Sequence, residues 1–217
     1  MGDIFREVDE ELRQERVEKL WKQYGKFVIA AAVLIVIGVA GWKFWQSQER
    51  DARIAEGAKF AVAASLLEEG KTADAAKAFA ALAEGTSSGY AILARLNEAA
   101  IRVQAGDAAG AIEIYDTVAS DGSVPGSIRK LATVLAGLQA LRVDSIDLAA
   151  IEAKLGPLTQ AGEAYRYTAL EILAIAARKA GDIEKTKTQY KSIVDDPAAP
   201  TGVRSRASQM IGILGGN

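Results

Sequence analysis

The chain of 217 residues contains no cysteine, no histidine and only four prolines, and aromatic residues make up just 6% of it. Without cysteine, no disulfide calls for an oxidising compartment and none is endangered by a reducing one. Without histidine, the commonest metal ligand and the usual neutral-pH acid–base group are missing. Zinc sites are excluded, because they need histidine or cysteine. Charge of one sign is also lacking: the formal net charge is −2 and the pI is about 5.4. The part after residue 45 carries 19 Lys/Arg against 21 Asp/Glu. A nucleic-acid binder would show a basic stripe or a high pI, so nucleic acid is set aside as a partner. No P-loop, nucleophile elbow or glycine-rich dinucleotide signature occurs. The acid pairs Asp195–Asp196 and Glu68–Glu69 fall at helix ends, and adjacent residues on a helix do not face each other. The chain reads as a non-enzyme with no cofactor.

What is present is apolar residues, half of the total, with alanine abundant and β-branched runs confined to one segment. Alanine has the highest helix propensity, which points to an all-α protein. The β-branched segment is FVIAAAVLIVIGVAGW, between Lys26 and Lys43. Its sixteen residues span roughly 24 Å as a helix, against about 30 Å of bilayer hydrocarbon. Lys26 and Lys43 can snorkel, and Phe44 and Trp45 lengthen the apolar stretch. Trp21 and Tyr24 precede the run, and Trp42 and Trp45 follow it, the positions of two interfacial aromatic belts. Two readings compete with a span: a buried soluble helix, for which the Trp pairs and bracketing lysines are unusual flanks, and a cleaved signal peptide, whose first region would hold seven acids in 26 residues instead of being short and basic.

The expected organisation is a cytosolic amphipathic leader over 1–25, a transmembrane helix over 26–45 and a repeat domain over 46–217. Basic residues before the span (Arg16, Lys19, Lys22, Lys26) slightly outweigh those after it (Lys43, Arg50, Arg53), which favours a cytoplasmic N-terminus. In the leader, Phe5, Val8, Leu12, Leu20 and Trp21 recur at helical steps.

Three segments align without gaps: EEGKTADAAKAFAAL from Glu68, QAGDAAGAIEIYDTV from Gln104 and KAGDIEKTKTQYKSI from Lys179. Each has a glycine nine residues before an aromatic: Gly70–Phe79, Gly106–Tyr115 and Gly181–Tyr190. Four residues before each aromatic stands Ala75, Ala111 or Thr186. The first two glycines are 36 apart and the last two 75, leaving room for a degenerate unit at Asp144–Thr159. The offset of 75 continues outside the motif: Asp121 meets Asp196, Pro125 meets Pro200, Arg129 meets Arg204, Ala132 meets Ala207 and Gly137 meets Gly212. In each unit a glycine ends one helix in the left-handed conformation. Asp107 and Asp182 then cap the next helix, and Thr72 is expected to do the same. Gly110 and Gly137 are expected at close approaches between helices.

The unit is a helical hairpin of tetratricopeptide type. First helices are predicted over 52–69, 89–105, 127–143 and 163–180, and second helices over 72–84, 107–119, 146–156 and 182–194. A final helix over 201–214 caps a solenoid of about four hairpins. A ligand face on the first helices is expected at Leu96, Ala100, Val103 and Gln104 in one unit, and at Thr168, Glu171, Ile175 and Arg178 in another.

The order of charged leader with Trp21, single span and alanine-rich degenerate repeats, with the segment AGDAAGAIEIY, resembles the YfgM-like family of bacterial inner-membrane proteins over essentially the whole chain. The resemblance implies a single-pass inner-membrane protein with a cytoplasmic N-terminus and a periplasmic repeat domain. It implies association with the SecYEG translocon and with a membrane-anchored periplasmic chaperone of the prolyl-isomerase type (PpiD), and a role in helping newly translocated envelope proteins leave the channel. The alternative is a static scaffold for another envelope complex, for outer-membrane assembly or cell division.

Overall fold

The computed structural model describes residues 3–85, 89–143, 145 and 147–215; the side chains of residues 3–20, 28, 31 and 32 lie outside that description. Among the described residues there are helices and no strand. They are α1 (Asp3–Glu68), α2 (Thr72–Gly85), α3 (Gly89–Gln104), α4 (Ala108–Ser120), α5 (Gly126–Ala140), α6 (Leu148–Leu155), a 3-10 turn (Gly156–Thr159), α7 (Arg166–Lys179), α8 (Ile183–Val194) and α9 (Thr201–Ile213). The chain divides into two compact units, Met1–Ala55 and Glu56–Asn217.

In the first unit the helix carries Ile29, Leu34, Ile35, Val36, Ile37 and Val39 exposed. Lys26 lies over the ring of Phe27, 5.2 Å from its centroid. Among the described residues no helix is long and apolar enough to cross a membrane. The span read from the sequence takes in Val28, Ala31 and Ala32, which lie outside the described side chains. So do Phe5, Val8, Leu12 and Leu20 of the leader.

The second unit is a stack of hairpins, and its turns repeat bond for bond. Gly70, Gly106 and Gly181 have φ of 75°, 82° and 82°, a region that costs any residue with a Cβ. The glycine N–H returns to the carbonyl three residues back (Gly106 to Val103, 3.1 Å), and the next N–H to the carbonyl five back (Asp107 to Arg102, 2.9 Å). Gly70–Lys71 and Gly181–Asp182 do the same. This is the Schellman closure, which satisfies the last carbonyls of a helix. The Asp107 carboxylate then accepts from Gly110 N at 2.9 Å and that of Asp182 from Lys185 N at 2.9 Å, covering free N–H groups of the next helix. Thr72 does not act this way: it is the first residue of α2, and its hydroxyl donates to the Gly70 carbonyl. In the degenerate unit, α6 is capped instead by Asp147, whose carboxylate accepts from Ala150 N at 3.0 Å.

Four clusters form the core, each lying between successive helices of the stack. Ala75, Ala111 and Thr186 are fully buried, and Phe79, Tyr115 and Tyr190 are buried one turn on. The small residue allows close approach and the aromatic fills the space beside it. The fit is imperfect at Gln139, which is 4% exposed while its Oε1 has no hydrogen-bond partner among the described residues. A buried unsatisfied amide oxygen costs stability. Its counterpart 75 residues on is Leu214. Gln139→Leu is therefore expected to stabilise the chain by about 1 kcal/mol, read as a raised midpoint in urea followed by circular dichroism.

Candidate partner-binding face

The second helices are tied along the stack by ion pairs. Lys154 of α6 reaches both carboxylate oxygens of Asp116 of α4 at 2.6 Å. Lys185 of α8 reaches Glu152 of α6 at 2.8 Å. The hydrogen bond to Glu152, opposed by some desolvation, raises the Lys185 pKa. These side chains are engaged with one another along the α4–α6–α8 line.

The first helices carry their own fixed pairs. Arg102 lies 3.0 Å from Asp107 and 3.3 Å from Glu98. Gly110 makes room for this arrangement, since a Cβ there would sit 2.3 Å from the Asp107 carboxylate and 2.6 Å from Arg102. It clears a capping ion pair rather than a helix–helix contact. Gly137 does mark a helix contact: a Cβ would lie 2.8 Å from a Leu155 methyl. Asp121 and Asp196 explain the match at offset 75. Each accepts the N–H two residues on, from Ser123 and Ala198, both at 2.9 Å. Each also pairs with an arginine of the preceding first helix, Arg95 with Asp121 and Arg166 with Asp196.

Three of these carboxyls are held below the ordinary carboxylate range. The main causes are the Gly110 N–H at Asp107, the Ser123 hydroxyl at Asp121 and the Ala198 N–H at Asp196. Burial raises the phenols of Tyr115 and Tyr190. A carboxyl with a depressed folded-state pKa binds fewer protons than in the unfolded chain, so stability rises with pH through that interval. The contribution is fully present above the unfolded value of about 4, and it is lost as pH falls through the lowered values. The thermal midpoint is expected to drop below pH 4 on this account. Replacing Asp107, Asp121 and Asp196 by asparagine, which keeps an acceptor oxygen, should flatten that drop.

The residues expected on a ligand face divide. Ala100, Gln104, Thr168, Ile175 and Arg178 are exposed. Leu96 and Val103 are half-buried and pack on the cluster of Ala99, Tyr115 and Val118. Glu171 is bound through both carboxylate oxygens to Arg206 of α9, at 3.1 Å each. Two exposed aliphatics on the first helices escaped the sequence reading: Leu93 and Leu138. Leu93 had a signal there, since it stands 75 residues before Thr168, which was expected on that face.

At the start of the stack, Glu56, Ala58, Lys59, Val62, Ala78, Ala81 and Leu82 line a groove of about 520 Å³. Among the described residues, no group of three or more His, Cys, Asp or Glu is placed to hold a metal ion.

A stack of hairpins with repeated glycine turns, small-then-aromatic packing and exposed first-helix faces defines a helical-repeat protein. The chain belongs to the tetratricopeptide repeat-like domain family, whose model matches residues 18–142. The match ends where the degenerate unit begins. Two curated relatives are both called ancillary SecYEG translocon subunit. One, from Haemophilus influenzae, is 26% identical over 184 residues, 83% of this chain and 82% of the relative. The other, from Aggregatibacter actinomycetemcomitans, is 25% identical over 195 residues, 88% of this chain and 92% of the relative. The YfgM-like character read from the sequence agrees with these relatives. No solved structure matches the chain significantly.

Proposed function

We propose that this chain is a membrane-anchored ancillary subunit of the SecYEG translocon. In this reading its periplasmic repeat domain binds partners and assists newly translocated envelope proteins, together with a prolyl-isomerase-type chaperone. The observation that carries the reading is similarity to two translocon subunits over most of both chains. The repeat scaffold points to binding rather than catalysis.

Residues 26–45 serve as the transmembrane helix, with residues 1–25 in the cytoplasm and 46–217 in the periplasm. Support comes from the apolar run and from its exposure. A helix with Ile29, Leu34, Ile35, Val36, Ile37 and Val39 exposed around its circumference is suited to lipid rather than water. Trp21, Tyr24, Trp42 and Trp45 are exposed at the two ends of the run, as interfacial anchors are. Anchoring beside a channel raises the effective concentration of the repeat domain near an emerging chain, so weak contacts suffice.

The test is purification of the tagged full-length protein in mild detergent with mass spectrometry of what accompanies it, beside a form lacking residues 1–45. Recovery of translocon subunits and a periplasmic chaperone with the full-length protein alone is expected. Cell-division or outer-membrane assembly proteins without translocon would overturn the reading in favour of a static scaffold. Extraction of the full-length protein from membranes by alkaline carbonate would overturn the anchor.

A further inference from the structure

The repeat itself shows what covers a surface of one kind. In the first hairpin the first helix is the stretch 56–68 of α1, which aligns with α3 at an offset of 36, the spacing of Gly70 and Gly106. Burial follows the alignment at Ala63 and its counterpart Ala99, both without exposed surface. It parts from it at Ala58. The counterpart there, Ala94, is fully buried and packs with Phe79, Leu82 and Ala83 of α2. Ala58 is exposed, as are Ala61 and Ala81, and Val62 is 61% exposed. These residues surround the groove of about 520 Å³, to which α1 contributes Ala58 and Val62, and α2 contributes Ala78, Ala81 and Leu82.

The side of α1 that meets the stack is a different one. A Cβ at Gly57 would lie 2.9 Å from the Tyr90 hydroxyl of α3, and the Phe60 ring contacts Tyr90. Each residue turns a helix by about 100°, so Ala58 and Val62 are carried away from α3. A cation also repeats in place. Arg95 of α3 donates to the Ala83 carbonyl of α2 at 3.4 Å. Ala83 lies in the last turn of α2, where carbonyls lack helical partners and the helix dipole is negative. The counterpart of Arg95 is Lys59, which lines the groove beside Ala58. Ser65 stands where α3 has Ile101, a residue buried against α2. The apolar patch is therefore shorter than the one α2 covers, and a guest there is held weakly.

We infer that the first hairpin accepts an amphipathic helix of a partner protein on Ala58, Val62, Ala81 and Leu82, packed as α2 packs on α3, with its C-terminal carbonyls at Lys59. The guest has the chemistry of α2: a small residue, an aromatic four residues on, then leucine and alanine in the next turn, as in Ala75, Phe79, Leu82 and Ala83. Such a helix extends the stack by adding to its end. The inference rests on the repeat geometry and stands apart from the translocon reading.

The test measures fluorescence anisotropy of a labelled peptide of the α2 sequence, TADAAKAFAALAEG, with the full-length protein in lipid nanodiscs. A helix this short is marginal in water, so a lactam bridge joins Lys77 to Ala81→Glu in the peptide, at two positions exposed in α2. Saturable binding is expected, weakened at least tenfold by Phe79→Ala in the peptide. Ala58→Arg combined with Val62→Glu in the protein should weaken it as much. Both positions are exposed, and circular dichroism checks that the variant folds. Lys59→Glu, at another exposed position, is the second variant. The parent protein should prefer the peptide with a free C-terminal carboxylate over the amidated one, and Lys59→Glu should reverse that preference. Absence of binding at millimolar peptide overturns the inference. Affinity unchanged in both protein variants also overturns it, as exchange of the peptide with the chain's own α2 would give. So does a self-association in sedimentation that Ala58→Arg with Val62→Glu abolishes, which would assign the groove to a second copy of the chain. Recovery of translocon subunits is read on the parent chain without peptide, so failure here leaves that reading standing.

Discussion

Phe79→Ala is expected to destabilise the repeat unit by about 3–5 kcal/mol, the range for deleting a fully buried aromatic. Phe79 has no exposed surface and packs among Ala63, Ala75, Leu82, Ala94 and Ile101. Its ring meets Phe60 edge-on at 5.3 Å between centroids, and Phe60 in turn contacts Tyr90 at 5.8 Å. Truncation leaves a cavity and removes an aromatic pair worth about 0.5–1.5 kcal/mol beyond its buried area. The effect is large against a total stability of about 5–15 kcal/mol. It should be concentrated in α2 and α3, because hairpins in a stack support only their neighbours. Urea denaturation followed by circular dichroism measures it, and Phe79→Leu should recover most of the loss. A Phe79→Ala midpoint within error of the parent would contradict the packing described here.

Gly137→Val is expected to cost about 2–3 kcal/mol, because overpacking a closed contact displaces side chains that have nowhere to go. A Cβ at Gly137 would lie 2.8 Å from one Leu155 methyl, 3.1 Å from the other and 3.2 Å from Cγ, and Leu155 is itself fully buried. At the equivalent position on α9, a Cβ added at Gly212 meets nothing within 4 Å, so Gly212→Val enters open space. It should change stability by less than about 0.5 kcal/mol, as most surface substitutions do. One residue type at one repeat position is therefore constrained in the middle of the stack and free at its end. Equal losses for the two variants would mean that the slot beside Gly137 does not depend on α6.

The turns were the most legible part of the chain. Gly106-Asp107 and Gly181-Asp182 carry backbone and capping requirements that few residue types satisfy, so the sequence announces them. The offset of 75 identified equivalent residues through Asp121 and Asp196, and the structure supplies the reason, a side-chain turn pinned by an arginine. Equivalence between repeats does not say which side of a helix meets its neighbour, because one position rotates a side chain by about 100°. That is why Leu96 and Val103, expected on the ligand face, pack on the core instead, while Leu93 and Leu138 are exposed. Asp147 was missed for a different reason: no glycine turn precedes it, and its capping role depends on local backbone geometry. Gly110 was misread because the space it leaves is filled by the Arg102–Asp107 pair, which sequence spacing alone does not place over the helix start.

The shortness of α6 gives the stack a fault line. Its eight residues provide the second helix of a hairpin whose neighbours have 13 in α4 and 12 in α8. Cooperativity in a repeat array passes from neighbour to neighbour, so the smallest interface limits how far an opening event spreads. The α2–α5 block and the α7–α9 block should therefore exchange amide hydrogens as two separate populations, with α6 exchanging before either. A partner seated across α5 and α7 would bridge the two blocks and make them open as one, so cooperativity itself becomes a readout of binding.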